Sequence, residues 1–227
     1  MAAPLFPVFI KLAERVCLVV GAGEIATAKI DSLLQSGARV LVVAPEAKTE
    51  VRELEESGRI IWERRKYQSS DLDGAFLAIA ATSDTTVNHA VFTDAQRRGI
   101  LCNAVDDPPN CDFYFPAVVR RGDLQIAIST AGESPAFAQK IRRALEDALE
   151  VHLGDWLAAI GKIRRDILAA YPASEARKLA LHVLANDGAR ESTTCPGRES
   201  SHAPKGAAFR PAEQQSRSIA IHTVHTR

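Results

Sequence analysis

The first 105 residues alternate between short apolar runs and longer segments whose apolar residues recur at helical spacing. The apolar runs, read as strands, cover residues 16–20, 39–44, 60–64, 76–81 and 100–105. The segments read as helices cover residues 27–36, 46–57 and 85–98. Strands that alternate with helices predict an α/β fold with a parallel sheet and right-handed crossovers. A further apolar alternation at residues 4–12 predicts an additional strand at a sheet edge.

The pattern changes after residues 106–110, which hold two acidic residues, two prolines and an asparagine. Residues 113–119 and 124–129 are predicted strands of a hairpin that turns at residues 120–123. Ser134 then caps a long helix whose apolar residues recur every fourth position on one face. A further helix is predicted at residues 155–170 and a shorter one at 174–185. A hairpin with a few helices is too small to bury its own apolar surface, so we expect it to pack against a partner chain.

These changes divide the chain into four parts. They are an α/β domain at residues 1–111, a central dimerisation domain at 112–152, a helical domain at 153–187 and a tail at 188–227. The tail is rich in Ser, Thr, Pro, Ala and Arg, a composition that predicts disorder. Scattered histidines in such a tail are more often inert than metal ligands, and we predict no metal site.

Composition narrows the range of partners. The chain of 227 residues has 46% hydrophobic and 25% charged residues and a formal net charge of zero. The overall charge therefore does not favour binding to nucleic acid or to an acidic membrane. No apolar run approaches the ~20 residues of a membrane span, and the N-terminus lacks the basic region of a signal peptide. The four cysteines (Cys17, Cys102, Cys111 and Cys195) show no CxxC spacing, which favours reduced structural thiols and a cytoplasmic location.

A glycine turn joins the first predicted strand to the first predicted helix. Gly21 permits the tight turn, Gly23 lets the backbone approach a pyrophosphate, and Ala26 is small enough for close packing of helix on strand. A pyrophosphate there lies on the free N–H groups and positive dipole of the helix. Strand, glycine turn and helix in this order predict a Rossmann-type dinucleotide-binding domain.

The end of the second predicted strand bears on the choice of dinucleotide. The acidic residue that usually binds the ribose hydroxyls is missing, because Ala44 occupies the tip and is followed by Pro45 and Glu46. Backbone contacts at Pro45 and Glu46, or the Glu46 side chain, are the alternatives for that role. No arginine follows directly to accept a 2′-phosphate, which favours NAD over NADP.

Polar residues stand at three strand tips, where ligands bind in open α/β sheets. The first tip is the glycine turn, the second carries Thr82 and Ser83 beside the cofactor, and the third runs from Asn103 to Asp107. A nicotinamide ring reaches past the first two tips toward the third. Asp106 is therefore a candidate general base beside the substrate. The alternative is that Asp106 only turns the chain before the prolines.

Basic and hydroxyl side chains of the central region are candidates for binding an anionic substrate. Arg120 and Arg121 lie at the predicted hairpin turn and Lys140 lies on the long helix, so they could clamp carboxylates. A solvated basic face is the alternative. Ser129 and Thr130 precede the helix start, where they offer either an anion site or a simple cap.

Seven blocks of sequence occur in order across residues 5–185 and together resemble one family. They are FPVFIKL (6–12), VVGAGEIA (19–26), VVAPE (42–46), AATSDTTVN (80–88), CNAVDDP (102–108), FYFPA (113–117) and ISTAGESP (128–135). This set resembles the precorrin-2 dehydrogenase/sirohydrochlorin ferrochelatase module of siroheme synthases. Many members continue into a methyltransferase domain, and this chain resembles the family without that domain.

The resemblance implies a homodimer of Rossmann-type domains, joined through the central domain and followed by a small helical domain. It implies NAD-dependent oxidation of the tetrapyrrole precorrin-2 to sirohydrochlorin, then insertion of ferrous iron, a substrate, to give siroheme. Asp106 matches the aspartate that the family uses in its dehydrogenase chemistry. The NAD-contacting positions that the resemblance implies are Gly21, Gly23, Glu24, Ile25, Pro45 and Glu46.

Two other functions share the same features up to Asp106. One is a different NAD-dependent dehydrogenase that acts on an anionic substrate. Such an enzyme would have no use for the large central dimerisation unit. The other is a non-catalytic, NAD-sensing module that regulates a partner. The sensor predicts NAD binding without turnover and makes Asp106 dispensable, so turnover of a tetrapyrrole discriminates between the readings.

Overall fold

The computed structural model describes residues 4–187, which fall into two compact units. Residues 4–159 form one unit, and residues 160–187 belong to the other. The strands are β1 (Val16–Val20), β2 (Arg39–Val43), β3 (Ile60–Glu63), β4 (Leu77–Ala80), β5 (Leu101–Ala104), β6 (Ala117–Arg121) and β7 (Leu124–Ile128). The helices are α1 (Glu24–Gln35), α2 (Thr49–Glu56), α3 (Thr85–Arg98), α4 (Pro135–Ala148), α5 (Leu153–Ala170) and α6 (Glu175–Asp187). Within this part of the chain, no helix combines the length and apolar character that crossing a membrane requires.

The first five strands form one parallel sheet in the order β3-β2-β1-β4-β5. β1 lies at the centre, with Val20 opposite Val43 of β2 on one side and Ala80 of β4 on the other. The chain moves outward from β1 to β3 and then returns to the other side of β1. This reversal places a topological switch point at the carboxyl ends of β1 and β4, which confirms the predicted Rossmann-type α/β fold.

Apolar side chains pack on both faces of the sheet. Val19 of β1 packs in one layer with Ile30 of α1 and Val51 of α2. Val20, the next residue of β1, packs in the opposite layer with Val91 of α3. Because successive side chains of a strand point to opposite faces, a strand buried on both sides is apolar throughout. This is why β1 and β4 appear in the sequence as unbroken apolar runs.

The helix ends follow the predicted capping signals. The Asp84 carboxylate accepts a hydrogen bond from the Thr86 N–H at 2.9 Å at the start of α3, and Gly99 ends the helix with a φ of 66°. The Ser134 hydroxyl accepts from the Phe137 N–H at 3.2 Å at the start of α4. These side chains satisfy N–H groups that have no partner within the helix.

β6 and β7 form the predicted antiparallel hairpin, with a shorter turn than predicted. Arg121 pairs with Leu124, so only Gly122 and Asp123 remain in the turn. A Cβ atom on Gly154, at the start of α5, would lie 2.7 Å from the Arg121 carbonyl carbon. The hairpin turn and the first residues of α5 are therefore in direct backbone contact, which only glycine permits.

The expected strand at residues 4–12 is wrong. The described chain forms no strand before Val16, and the Phe6 and Phe9 side chains are 86% and 70% exposed. Alternation of apolar residues shows that a segment can pair but not that an edge is available to it. Leu12, in contrast, is buried against the core.

The helical part follows the prediction with small shifts in its boundaries. α5 begins two residues before the predicted position, and α6 ends at Asp187. The compact units divide after Ala159 within α5. The predicted domain boundaries after residues 111 and 152 stay predictions, and the predicted disordered tail lies outside the described residues.

Candidate functional site

Gly21 lies at the switch point, in contact with the end of β4. Its N–H donates to the Val43 carbonyl at 2.9 Å, which continues the pairing of β1 with β2. Its φ is 107°, and a Cβ atom would lie 2.8 Å from the Ala81 carbonyl carbon. Both the backbone conformation and the contact exclude a side chain. Gly21 is therefore required by the fold itself.

Gly23 has the opposite surroundings. No protein atom of the described chain lies within 4 Å of the position that its Cβ would take, and its φ of −84° suits any residue. Gly23 precedes α1, whose first turn receives no hydrogen bond from a capping side chain. Exposed N–H groups at a helix start, beside an open glycine backbone, fit a pyrophosphate. The residues present thus fit a dinucleotide.

Two side chains border this helix start. Ile25 is 49% exposed, unusual for an apolar residue so near the core, and it extends the surface next to Gly23. The Glu24 carboxylate pairs with the Lys48 ammonium at 3.4 Å. This ion pair joins the start of α1 to the segment that follows β2. Glu24 and Ile25 are both cofactor positions in the sequence interpretation.

The β4 tip is held by a buried asparagine that the sequence interpretation did not single out. The Asn88 side chain accepts from the Thr82 N–H at 3.1 Å and from the Thr82 hydroxyl at 2.7 Å, and it donates to the Thr82 carbonyl at 3.0 Å. Ser83 is exposed beside it. Asn88 lies on α3, so it fixes the Thr82 turn beside Gly21. The sequence offers two signals: Asn88 lies six residues after Thr82 within a predicted helix, and it is the last residue of the block at 80–88.

The residue that directly follows β2 is Ala44, so the strand tip carries no acidic side chain that could bind the ribose hydroxyls. The Ala44 N–H donates to the Glu63 carbonyl at 3.2 Å, and the Trp62 indole donates to the Ala44 carbonyl at 2.9 Å. Pro45 and Glu46 follow and are exposed.

Two arginines follow β3, the strand beside β2. Arg64 lies 3.1 Å from the Glu55 carboxylate, and Arg65 lies 2.6 Å from the Asp71 carboxylate. Both guanidinium groups are therefore already paired with carboxylates of the same domain.

Asp106 stands just beyond the end of β5 in a strained turn. Its φ is 60°, and the Asp107 N–H donates to the Ala104 carbonyl at 3.2 Å to close the turn. Asp is one of the few residues other than glycine that tolerates this left-handed conformation. The Asp106 side chain is exposed at the carboxyl end of the sheet. It therefore lies at the ligand-binding edge that the fold defines.

The segment after Asp106 is fastened to β5. The Asn103 side-chain amide donates to the Phe113 carbonyl at 2.7 Å, and the Asp112 carboxylate accepts from the Cys102 N–H at 2.8 Å. The Phe113 and Phe115 rings meet edge to face, 5.4 Å apart. Asn103 is 6% exposed, so its role here is to hold this aromatic segment beside Asp106.

The described cysteines are free thiols. Burial raises the pKa of Cys17 to about 11 and that of Cys102 to about 12. Burial also raises the pKa of Cys111, whose thiol donates to the Ala104 carbonyl at 3.0 Å. Protonated, buried thiols are poor nucleophiles, which fits a structural role. Among residues 4–187 no group of three or more His, Cys, Asp or Glu side chains is arranged to hold a metal.

The arginines of the hairpin lie away from the nucleotide loop. Arg121 donates to the Glu146 carbonyl at 2.6 Å and to the Leu149 carbonyl at 3.3 Å, so it caps the end of α4. Arg120 donates to Gln35, the last residue of α1, at 3.1 Å. It lines a cavity of about 480 Å³ there. The nucleotide loop lies at the other end of α1, roughly 17 Å away along the helix axis. Within this chain, the structure does not bring Arg120 to Asp106.

Ser129 and Thr130 lie at the opposite end of the hairpin. Ile128 pairs with Ala117, so these residues are on the same end as Phe115. The Ser129 hydroxyl accepts from the Ala131 N–H at 3.1 Å, and the Thr130 hydroxyl accepts from the Ser134 N–H at 3.2 Å. The two hydroxyls thus shape the loop before α4. Lys140 is exposed on α4.

Fold and site together define a Rossmann-type, dinucleotide-binding protein. The family model described as "Putative NAD(P)-binding" matches residues 8–117, and the model described as "Sirohaem biosynthesis protein central" matches residues 121–148. The solved structure of SirC, a precorrin-2 dehydrogenase, superposes with a TM-score of 0.69. It is 29% identical to this chain, and the match covers 83% of this chain and 94% of SirC.

Siroheme synthases are similar over the same region. Siroheme synthase 1 of Yersinia enterocolitica is 46% identical over 158 residues, which is 70% of this chain and 34% of the relative. Siroheme synthase of Methylococcus capsulatus is 39% identical over 172 residues, 76% of this chain and 36% of the relative. Siroheme synthases thus match the N-terminal ~70% of this chain. It spans about a third of the length of these curated relatives.

Proposed function

We propose that this chain oxidises precorrin-2 to sirohydrochlorin with NAD and then inserts ferrous iron to give siroheme. The observation that carries the proposal is the position of Asp106. An exposed carboxylate is held in a left-handed turn at the edge of the sheet where the nucleotide loop also lies. The names of SirC and the siroheme synthases indicate the substrate class.

Asp106 is the base in this proposal. Oxidation of a reduced tetrapyrrole removes a hydride and a proton, and bound NAD supplies the hydride acceptor. The Asp106 carboxylate accepts the proton. The hydrogen bond from Asn103 to the Phe113 carbonyl holds the neighbouring segment in place, so the carboxylate is presented from a fixed turn rather than from a mobile loop.

The contacts near the β2 tip support NAD rather than NADP. A 2′-phosphate needs an available cation near the ribose. Arg64 and Arg65 follow β3 but are paired with Glu55 and Asp71. Pro45 and Glu46 are exposed where the adenosine ribose is expected. We assign to them the role of binding the ribose hydroxyl groups.

Iron insertion extends the same chemistry. Pyrrole N–H protons must leave as ferrous iron enters the macrocycle, so the base used for oxidation can serve a second time. In the proposal Asp106 accepts these protons as well. Iron is a substrate in this step and needs no resident metal site.

The central hairpin supports the proposed homodimer. Ile126 and Ile128 of β7 remain partly exposed, and Phe137 of α4 is 53% exposed. A two-stranded hairpin with one helix leaves this apolar surface incompletely covered. We propose that a second copy of the chain covers it, as the resemblance implies.

One assay tests both steps. Purified protein is mixed with NAD and enzymatically made precorrin-2, and the absorbance of sirohydrochlorin is followed. We expect NAD-dependent formation of sirohydrochlorin, then a shift to the siroheme spectrum after anaerobic addition of ferrous iron. NAD binding without turnover would instead support a sensor module. Turnover without metallation would confine the activity to oxidation.

A further inference from the structure

Lys29 of α1 contacts the aromatic segment that follows the proposed base, although no motif drew attention to it. Its ammonium sits over the Phe115 ring, 3.7 Å from the ring centroid. Asp106 is the opposite charge that acts on it: burial lowers the pKa of Lys29, and the Asp106 carboxylate opposes this by raising it.

The fold explains why α1 meets the Asp106 turn. Val105 and Phe113, which flank that turn, pack against the same apolar layer as Ile30 of α1. Lys29 follows Ile25 by four residues, so both lie on one face of the helix. That face runs from the nucleotide loop, past exposed Ile25, to the ammonium group on Phe115.

The ammonium group of Lys29 is partly buried without an ion pair. Lys48 and Lys178 have carboxylate oxygens at 3.4 and 2.7 Å. No carboxylate oxygen among residues 4–187 comes within the 4.0 Å of an ion pair to Lys29. A partly desolvated cation without a close anion is unfavourable, and the aromatic ring offsets only part of that loss. The arrangement is that of a cation positioned for an anion from outside the chain.

We propose that Lys29 binds a carboxylate of the tetrapyrrole substrate and so places the reacting ring beside Asp106. This inference rests on the proposed function, since it takes the polycarboxylate substrate from there. It gives the cationic role to Lys29 rather than to Arg121, whose donors are bonded to carbonyl groups of α4. Arg120 lies at the far end of α1.

The test compares Lys29→Met, which removes the charge and keeps the length, with Lys29→Arg, which keeps the charge. Lys66→Met is the matched control, because Lys66 is an exposed lysine that follows β3. Three quantities are measured: the dissociation constant of sirohydrochlorin without NAD, the dissociation constant of NAD, and kcat and KM for precorrin-2. Circular dichroism melting checks folding, and Lys29→Gln replaces Lys29→Met if the latter does not fold.

We expect Lys29→Met to weaken sirohydrochlorin binding and to raise KM for precorrin-2 by roughly tenfold or more, the effect of losing one charged hydrogen bond. NAD binding stays unchanged, Lys29→Arg recovers much of the loss, and Lys66→Met behaves as wild type. Lower kcat with unchanged KM and unchanged sirohydrochlorin binding would overturn the inference, because Lys29 would then act only on Asp106. Weaker NAD binding alone would also overturn it, by making Lys29 a cofactor ligand.

Failure of the inference is separable from failure of the proposed function. Wild-type protein that neither binds sirohydrochlorin nor oxidises precorrin-2 refutes the proposed function itself. Wild-type protein that does both, while Lys29→Met binds sirohydrochlorin equally well, refutes only the role of Lys29.

Discussion

Gly21 lies so close to the carbonyl of Ala81 that the two backbones leave no room for a side chain between β1 and β4. Gly23, two residues later in the same motif, faces open space. Glycine is therefore needed at the two positions for different structural reasons. The first serves the packing of the sheet, and the second keeps the backbone accessible to a ligand.

Gly21→Ala is expected to destabilise the protein by about 3 kcal/mol or more. A side chain there is both strained by the positive φ and in overlap with the Ala81 carbonyl. Urea unfolding followed by circular dichroism measures the loss. A variant as stable as wild type would show that the β1–β4 contact can relax.

Gly23→Ala is the matched change on the other glycine. We expect it to fold with wild-type stability or slightly better, since alanine lowers the entropy of the unfolded chain at a permitted φ. Its Cβ occupies the space that a pyrophosphate needs, so NAD affinity is expected to fall at least about tenfold. Calorimetric titration with NAD measures this. Unchanged affinity would mean that the dinucleotide does not approach Gly23.

Asp106→Asn separates the charge of Asp106 from its backbone conformation. Asparagine tolerates the left-handed turn, so the fold and NAD binding are expected to persist. Loss of the base is expected to lower oxidation of precorrin-2 at least about 100-fold. Asp106→Ala is expected to abolish oxidation as well while NAD still binds, with an additional loss of stability from backbone strain. Retained turnover in Asp106→Asn would remove Asp106 from the mechanism.

The ion pair of buried Asp71 with partly exposed Arg65 makes stability depend on pH. Burial of Asp71 raises its pKa, but hydrogen bonds from the Arg65 guanidinium and the Gln68 N–H outweigh burial and bring it below the ordinary 3.8. A carboxyl group with a lowered folded pKa stabilises the protein above its unfolded pKa, and that contribution is lost as the pH falls through the folded pKa.

We therefore expect Asp71→Asn to cost about 2 kcal/mol of unfolding free energy at pH 7 and to flatten its dependence on pH below about 4. Urea denaturation of both proteins from pH 3 to 7 measures the two curves. Parallel curves for wild type and variant would show that another carboxylate controls acid unfolding.

Arg121→Ala tests whether this arginine stabilises the hairpin or binds substrate. Because its guanidinium donates to the Glu146 and Leu149 carbonyls, we expect a loss of about 1–2 kcal/mol in stability. KM for precorrin-2 is expected to change less than in Lys29→Met. A large rise in KM with unchanged stability would support the substrate-binding role suggested by the sequence.

Local signals in the sequence predicted most of the elements. The apolar run of β1 and the caps at Asp84 and Ser134 depend on neighbouring residues, so they can be recognised without a structure. The exposed segment around Phe6 was predicted wrongly because its alternation carries no information about a pairing partner. The hairpin turn was predicted two residues too long, because Arg121 still pairs with Leu124.

The candidate site was only partly predictable, because local signals do not show which elements meet in the fold. The nucleotide loop and Asp106 follow strand ends, and the order of strands places those ends on one edge. Lys29 and Asn88 act across elements, from helices that pack beside the turns they contact. Helix spacing alone gave no indication that either residue meets Phe115 or Thr82.

The meeting of residues 21 and 81, sixty positions apart in the chain, has a consequence for assembly. The nucleotide loop contacts the end of β4 only when β4 has paired with β1, and β2 and β3 separate these two strands in the sequence. Pairing of strands so far apart in the sequence raises the contact order of the fold, which slows folding. We therefore expect a dinucleotide to bind only molecules in which β1 and β4 have already paired, so that NAD retention reports the completed sheet.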